Sequence, residues 1–183
     1  MVDVKPKDDK NIIPIFDGGI GQTKQIKYRT RSQDDSEGQN FYSQVYYKHD
    51  IIHGKMKLSK ATQHISQHRY FKRLQEIHQL GPLYFKFGSG SHSRYEHSLG
   101  VAFLARFAAE NQQTKIHSIT QQEIICVEIA GLCHDLGHGA FSHSFDHLLR
   151  DSDMKDSICA HHEARSMRLT ERLIIELNTQ GLT

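Results

Sequence analysis

Residues 123–138 read EIICVEIAGLCHDLGH. Apolar side chains fall on most sides of a helix drawn through them, so the segment belongs inside a fold rather than on its surface. It is preceded by Thr120-Gln-Gln-Glu123, a capping box that satisfies free backbone N–H groups at a helix start. Gly137 and Gly139 mark its end. That end carries His134, Asp135 and, one turn on, His138. Buried polar groups have to be paired, and packing alone does not account for two imidazoles and a carboxylate there. Neighbours on a helix diverge by ~100°. Near a terminus, however, an adjacent imidazole and carboxylate can converge on one ion that also takes a ligand from another helix. His97, on the apolar helix HSLGVAFLARFAAEN (97–111), is the candidate for that other ligand. Mixed His/Asp ligation suits Zn, Fe, Mn, Ni or Mg.

Histidine is the unusual component: 14 of 183 residues, nine of them between His92 and His162. His138 and His143 belong with the central segment, whereas His92, His117, His147 and His161 read as surface residues. A second doublet, His49-Asp50, sits in a loop-like context and reads as chance. The remaining composition is ordinary. Apolar residues make up 37%, charged residues 24%, and the net charge is +2. No global field of the kind that attracts nucleic acid or bilayers follows from it. Three cysteines, an odd count, and an N-terminus without an apolar leader fit a reducing, intracellular setting. Cys126 and Cys133, seven residues apart on a helix, lie too far apart to bridge. The apolar run Ile124–Cys133 is short and carries Glu128, so no membrane span is expected.

Residues 1–40 hold two of the three prolines and four glycines, with charge segregated into KQIKYRTR (24–31) and DDSE (34–37). They read as a flexible arm whose basic stretch offers at most weak contact with nucleic acid. From 41 to 183 the composition is that of one core. NFYSQVYY (40–47) is a candidate strand, KATQHISQHRYFKRLQEI (60–77) a helix stopped by Gly81-Pro82, and LYFKF (83–87) strand-like. A last helix runs from about His161 to Asn178, with Gly181 beyond it. The expectation is a nearly all-α domain.

EHSLGV (96–101), CHDLGHGAFSHSFDH (133–147) and HHE (161–163) resemble the HD-domain superfamily of metal-dependent phosphohydrolases. Within it they are most similar to the deoxynucleoside triphosphate triphosphohydrolases, particularly the animal enzymes with SAM and HD domains. The resemblance covers about residues 41–183 and includes YFKRLQEIHQLGPLYFKFGSGSHSRYEHSLG (70–100). It implies a helical HD bundle with a short β element near the N-terminal side of the core.

The resemblance also implies roles. His97, His134 and Asp135 correspond to metal ligands for a divalent ion such as Zn, Fe, Mn or Mg. The family's fourth ligand, a distal aspartate, has no counterpart up to Thr183, so the expectation is a core incomplete at its C-terminus. Arg94, His138 and His162 correspond to groups that hold substrate phosphates. His143 and Asp146 correspond to the pair that protonates the leaving 5′-oxygen, and at i,i+3 they are expected side by side. Gln79 and Leu80 correspond to the lining of the deoxyribose pocket. The implied reaction converts a dNTP, dGTP among them, to deoxynucleoside and triphosphate, in the nucleus or cytoplasm, with a homo-oligomer possible for a longer chain. Positions that contact activating nucleotides in the animal enzymes hold Tyr46, Tyr47, Gln67 and Gln75, a departure from that pattern which leaves guanine-nucleotide activation open. The alternatives are an HD phosphodiesterase of other substrate and an inactive nucleotide- or nucleic-acid-binding module.

Overall fold

The computed structural model describes residues 44–113, 119–154 and 157–179. The expected arm over 1–40, its basic stretch 24–31, His117 and Gly181 lie outside the described residues. Two strands, β1 (Val45–Asp50) and β2 (Gly54–Ser59), pair antiparallel from Val45↔Ser59 to Asp50↔Gly54. The tight turn between them is held by the Asp50 carboxylate, whose Oδ1 accepts from the N–H groups of Ile52 (2.8 Å) and His53 (2.9 Å). Of the expected strand over 40–47, residues 45–47 form part of β1 and 40–43 lie outside the described residues; His49-Asp50 ends a strand instead of lying in a loop. Met56 and Leu58 alternate into the core from β2.

Ser59 ends β2 and caps α1 (Lys60–Gln67), its side chain accepting from Thr62 N. The expected single helix over 60–77 is broken at His68, whose backbone is extended (φ −69°, ψ 146°). The break has its own cap: His68 Nδ1 accepts from Tyr70 N (3.3 Å) at the start of α2 (Arg69–Lys72). A 3₁₀ turn follows over Arg73–Glu76. Despite the break, Ile65, Phe71, Leu74 and Ile77 all face the core as their spacing predicts. LYFKF is not a strand. Gly81–Phe85 is a 3₁₀ turn, with the His78 and Tyr84 rings stacked at 4.1 Å and Tyr84 and Phe85 at 4.2 Å. Strand propensity in that run reflects aromatic side chains that here stack on one another, leaving Phe85 exposed.

The centre is the helix pair α3 (Arg94–Gln113) and α4 (Gln121–Cys133). They come close at Gly131, where a Cβ would stand 3.2 Å from the Ala105 Cβ and 3.3 Å from the Val101 carbonyl oxygen. The capping box forms as expected: Thr120 N–H donates to Glu123 Oε2 and Glu123 N–H to Thr120 Oγ1. Leu99 and Ala102 from α3 pack with Leu132 and Cys133 from α4 and with Leu173 and Leu177 from the last helix. Glu128, fully buried on α4, accepts from Ser59 N (2.7 Å), Thr62 Oγ1 (2.6 Å) and Arg106 Nη1 (2.7 Å). It thereby ties the hairpin, α1 and α3 to the central helix. α5 (His143–Arg150) and α6 (His162–Thr179) complete the described elements, six helices and one two-stranded sheet. All three cysteines are free, and burial pushes the Cys133 thiol up to about 11. Among the described residues no helix is long and apolar enough to cross a membrane.

Candidate metal centre and its histidine surround

The helix expected to reach His138 ends at Cys133, with His134 as its cap residue. His134–Gly137 is therefore a turn, although His134 itself keeps helical backbone angles (φ −56°, ψ −36°). His134 Nε2 and Asp135 Oδ2 come within 3.3 Å. His97, from the first turns of α3, brings its Nε2 to 3.3 Å from His134 Nε2 and 3.5 Å from Asp135 Oδ2. The three donor atoms form a nearly equilateral triangle. A tetrahedral ion with bonds of about 2.1 Å needs ligand atoms about 3.4 Å apart, so the triangle fits one face of such a shell.

The surroundings prepare these donors. His134 Nδ1 lies 2.7 Å from the Gly131 carbonyl, which can only accept. Nδ1 therefore carries the proton, and Nε2 keeps its lone pair toward the triangle. Burial lowers the His97 pKa against the opposing pull of Asp135, which keeps its imidazole neutral and able to ligate. The Asp135 carboxylate beside it raises that of His134. Burial alone would raise the Asp135 carboxyl, but His134, His138 and the Arg94 guanidinium hold it well below the usual carboxylate range. The side chains of His97 and His134 are about a third exposed (32% and 39%), so one side of the triangle faces solvent. An open position is what distinguishes a catalytic metal site from a closed structural one.

Arg94 is buried (1% exposed) and fully engaged. Nη1 donates to Asp135 Oδ2 (2.5 Å), Nε to Ser142 Oγ (2.9 Å) and Nη2 to the Gln79 carbonyl (3.4 Å). Ser142, which sequence reasoning passed over, is thus a key support. Its hydroxyl also donates to the His78 carbonyl (2.6 Å). Phe141 and Ser142 both adopt left-handed backbone (φ 63° and 59°). Such residues cost roughly 1–3 kcal/mol each, and here they bring the serine beneath Arg94. Nothing in the string AFSHS distinguishes this serine from its neighbours. The Gln79 amide oxygen is buried without a partner, while Leu80 is partly exposed.

Beside the triangle lies a second group. Donor atoms of His138, His143, Asp146 and His162 all fall within 4.8 Å of one another. The His138 ring is stacked on His162 at 3.9 Å and meets His143 edge-on at 4.8 Å. His138 has no exposure, and neither ring nitrogen has a hydrogen-bond partner; the Asp135 Oδ1 contact at 3.5 Å does not make one. The expected pairing of His143 with Asp146 is loose, at 4.0 Å. Asp146 instead accepts from His162 Nδ1 at 2.6 Å and pairs with Arg165 through its other oxygen. Burial would raise the Asp146 carboxyl, but Arg165 and His162 outweigh it and keep it low. With both oxygens so engaged, the group reads as a set of imidazoles facing an anion more readily than as a second cation site. His92, His147 and His161 are exposed, as expected.

Residues 94–178 match the HD domain family, spanning both groups just described. Over 139 residues the chain is 41% identical to deoxynucleoside triphosphate triphosphohydrolase SAMHD1 of Homo sapiens, covering 73% of this chain and 21% of the relative. The corresponding enzyme of Danio rerio is 42% identical over 131 residues (68% and 20%). The homologue in Dictyostelium discoideum is 39% identical over 127 residues (68% and 24%). The chain thus spans between a fifth and a quarter of the length of these relatives. A match that contains the donor triangle and the histidine surround, on a helical fold with a small N-terminal sheet, identifies residues 94–178 as an HD domain, within a chain similar to deoxynucleoside triphosphate triphosphohydrolases.

Proposed function

We propose that this chain carries the metal-binding part of a phosphohydrolase site that converts deoxynucleoside triphosphates to deoxynucleoside and triphosphate. The observation that supports it most is the donor triangle of His97, His134 and Asp135, open on one side and set beside the imidazoles of His138, His143 and His162. A divalent ion held there would supply Lewis acidity toward water and phosphoryl oxygens.

The chain's own groups divide the remaining work. Arg94 and Ser142 hold Asp135 in place. His138 gives its unpartnered N–H to a phosphate oxygen, and His162, its Nδ1–H held by Asp146, lies stacked against it beside the same phosphates. His143, the most exposed of the three imidazoles, delivers a proton to the departing 5′-oxygen. Gln79 and Leu80 face the sugar. Water adds to the α-phosphorus, the bond from that phosphorus to the 5′-oxygen breaks, and the 5′-oxygen leaves protonated. The organisms' named relatives act on the same class of substrate, which favours a dNTP over another phosphate ester.

Product analysis tests this reading. The full chain, incubated with each dNTP and Mn²⁺ or Mg²⁺, should release deoxynucleoside and inorganic triphosphate in equal amounts. Release of pyrophosphate with dNMP, or of orthophosphate with dNDP, would contradict it. So would a metal-loaded chain that turns over no dNTP, an outcome that leaves a binding module.

A further inference from the structure

The sequence pattern pairs Asp146 with His143, three residues away, yet the structure gives the carboxylate to His162. The residue next to that choice is Arg165. Its guanidinium is only 15% exposed, and its three nitrogens go to three different segments. Nε donates to the Gly137 carbonyl (2.8 Å), just beyond the metal doublet. Nη1 donates to the Cys159 carbonyl (2.6 Å), in the turn before α6. Nη2 pairs with Asp146 Oδ1 on α5. The guanidinium also lies over the Phe145 ring, 5.4 Å from its centre. Only a planar fork with donors in fixed directions can hold three such acceptors at once; a lysine has one nitrogen to offer.

The backbone is shaped to allow this. Gly137 brings the turn so close to α6 that a Cβ would stand 2.3 Å from the His162 carbonyl oxygen, and Ser166 Oγ accepts from Gly137 N (2.8 Å). With Oδ1 held by Arg165, Asp146 presents Oδ2 to His162 Nδ1 at 2.6 Å. A carboxylate accepts only, so Nδ1 of His162 bears the proton and Nε2 is the nitrogen left for a ligand.

We propose that Arg165 is a positioning residue: by clamping Asp146, Gly137 and Cys159 it commits the carboxylate to His162 and fixes that imidazole as its Nδ1–H tautomer. A catalytic consequence rests on the phosphohydrolase reading; the tautomer does not. Nitrogen NMR of histidine-labelled full chain reads the tautomer directly, with no need of metal or turnover. The wild type should show His162 as the Nδ1–H form, with its imidazole N–H proton shifted downfield by the short bond. Arg165→Gln and Arg165→Lys should both lose that resonance, and Asp146→Asn should lose it as well. A merely structural arginine would lower the melting midpoint in these variants and leave the tautomer unchanged. Should Arg165→Gln fail to fold, Arg165→Lys and the wild type still decide. A wild-type His162 protonated on Nε2, or an undiminished Nδ1–H signal in folded Arg165→Lys, overturns the proposal. Loss of the signal without any dNTP turnover in the wild type would uphold Arg165 and count against the substrate assignment instead.

Discussion

Replacing Glu128 with alanine should be among the most destabilising changes available in this chain, although the residue lies outside the histidine groups. Its carboxylate has no exposure and takes three hydrogen bonds, from Ser59 N, Thr62 Oγ1 and Arg106 Nη1. Removing one partner of a buried ion pair costs about 3–5 kcal/mol, because the other charge is left buried and uncompensated. Arg106 retains Glu110, 2.9 Å from its Nε and more exposed, which holds that cost toward the lower end. The Ser59 N–H and the Thr62 hydroxyl add about 1–3 kcal/mol as buried donors without acceptors. The sum is about 4–6 kcal/mol, a large share of the ~5–15 kcal/mol typical of a domain. At ~2–4 °C per kcal/mol for a domain of this size, the melting midpoint should fall by roughly 10–20 °C. Urea unfolding followed by circular dichroism measures it, and an unchanged slope would show that both proteins unfold from comparable native states. The double change Arg106→Met with Glu128→Leu removes both charges and should recover much of the loss. A loss under ~1 kcal/mol in Glu128→Ala, or a double variant as weak as the single one, would refute the reasoning.

Two further outcomes follow from the site. Gly137→Ala places a methyl against backbone atoms of His162 and Ser166 at 2.3 and 2.4 Å and should cost about 1–3 kcal/mol, whereas Gly88→Ala, with open space around it, should change the melting midpoint little. Asp146 is held below its ordinary pKa, so its contribution to stability is full above the unfolded value of about 4 and is lost as pH falls toward the folded value. The stability gap between wild type and Asp146→Asn should thus stay level from about pH 5 to 7 and narrow below about pH 4, and a gap that widens on acidification would reverse the sign argued for Asp146.

The metal doublet was legible because its signal is local: an apolar helix that ends in His134-Asp135, with His138 four residues after His134, has few structural explanations, whereas the roles of His143, Asp146 and His162 came only through the family resemblance. The capping box at Thr120 and the core faces of Ile65, Phe71 and Leu74 were legible for the same reason. What escaped depends on partners distant in sequence. The i,i+3 spacing of His143 and Asp146 promised a pair, but it carries no information about Arg165, which draws the carboxylate to the other side. Glu128 read only as a charge that argues against a membrane span, since its donors lie 69, 66 and 22 residues away. The helix break at His68 is set by an imidazole that caps the next turn, a role that helix propensity does not register. In LYFKF the aromatic composition suggested a strand, while stacking between His78, Tyr84 and Phe85 favours a tight turn.

The central claim, that His97, His134 and Asp135 form one metal site distinct from the imidazoles beside it, is tested most directly by metal content after equilibrium dialysis. Wild type and His143→Ala should each retain about one divalent ion per chain, and Asp135→Ala should retain far less. Equal occupancy in wild type and Asp135→Ala, or loss of the ion in His143→Ala alone, would contradict the account.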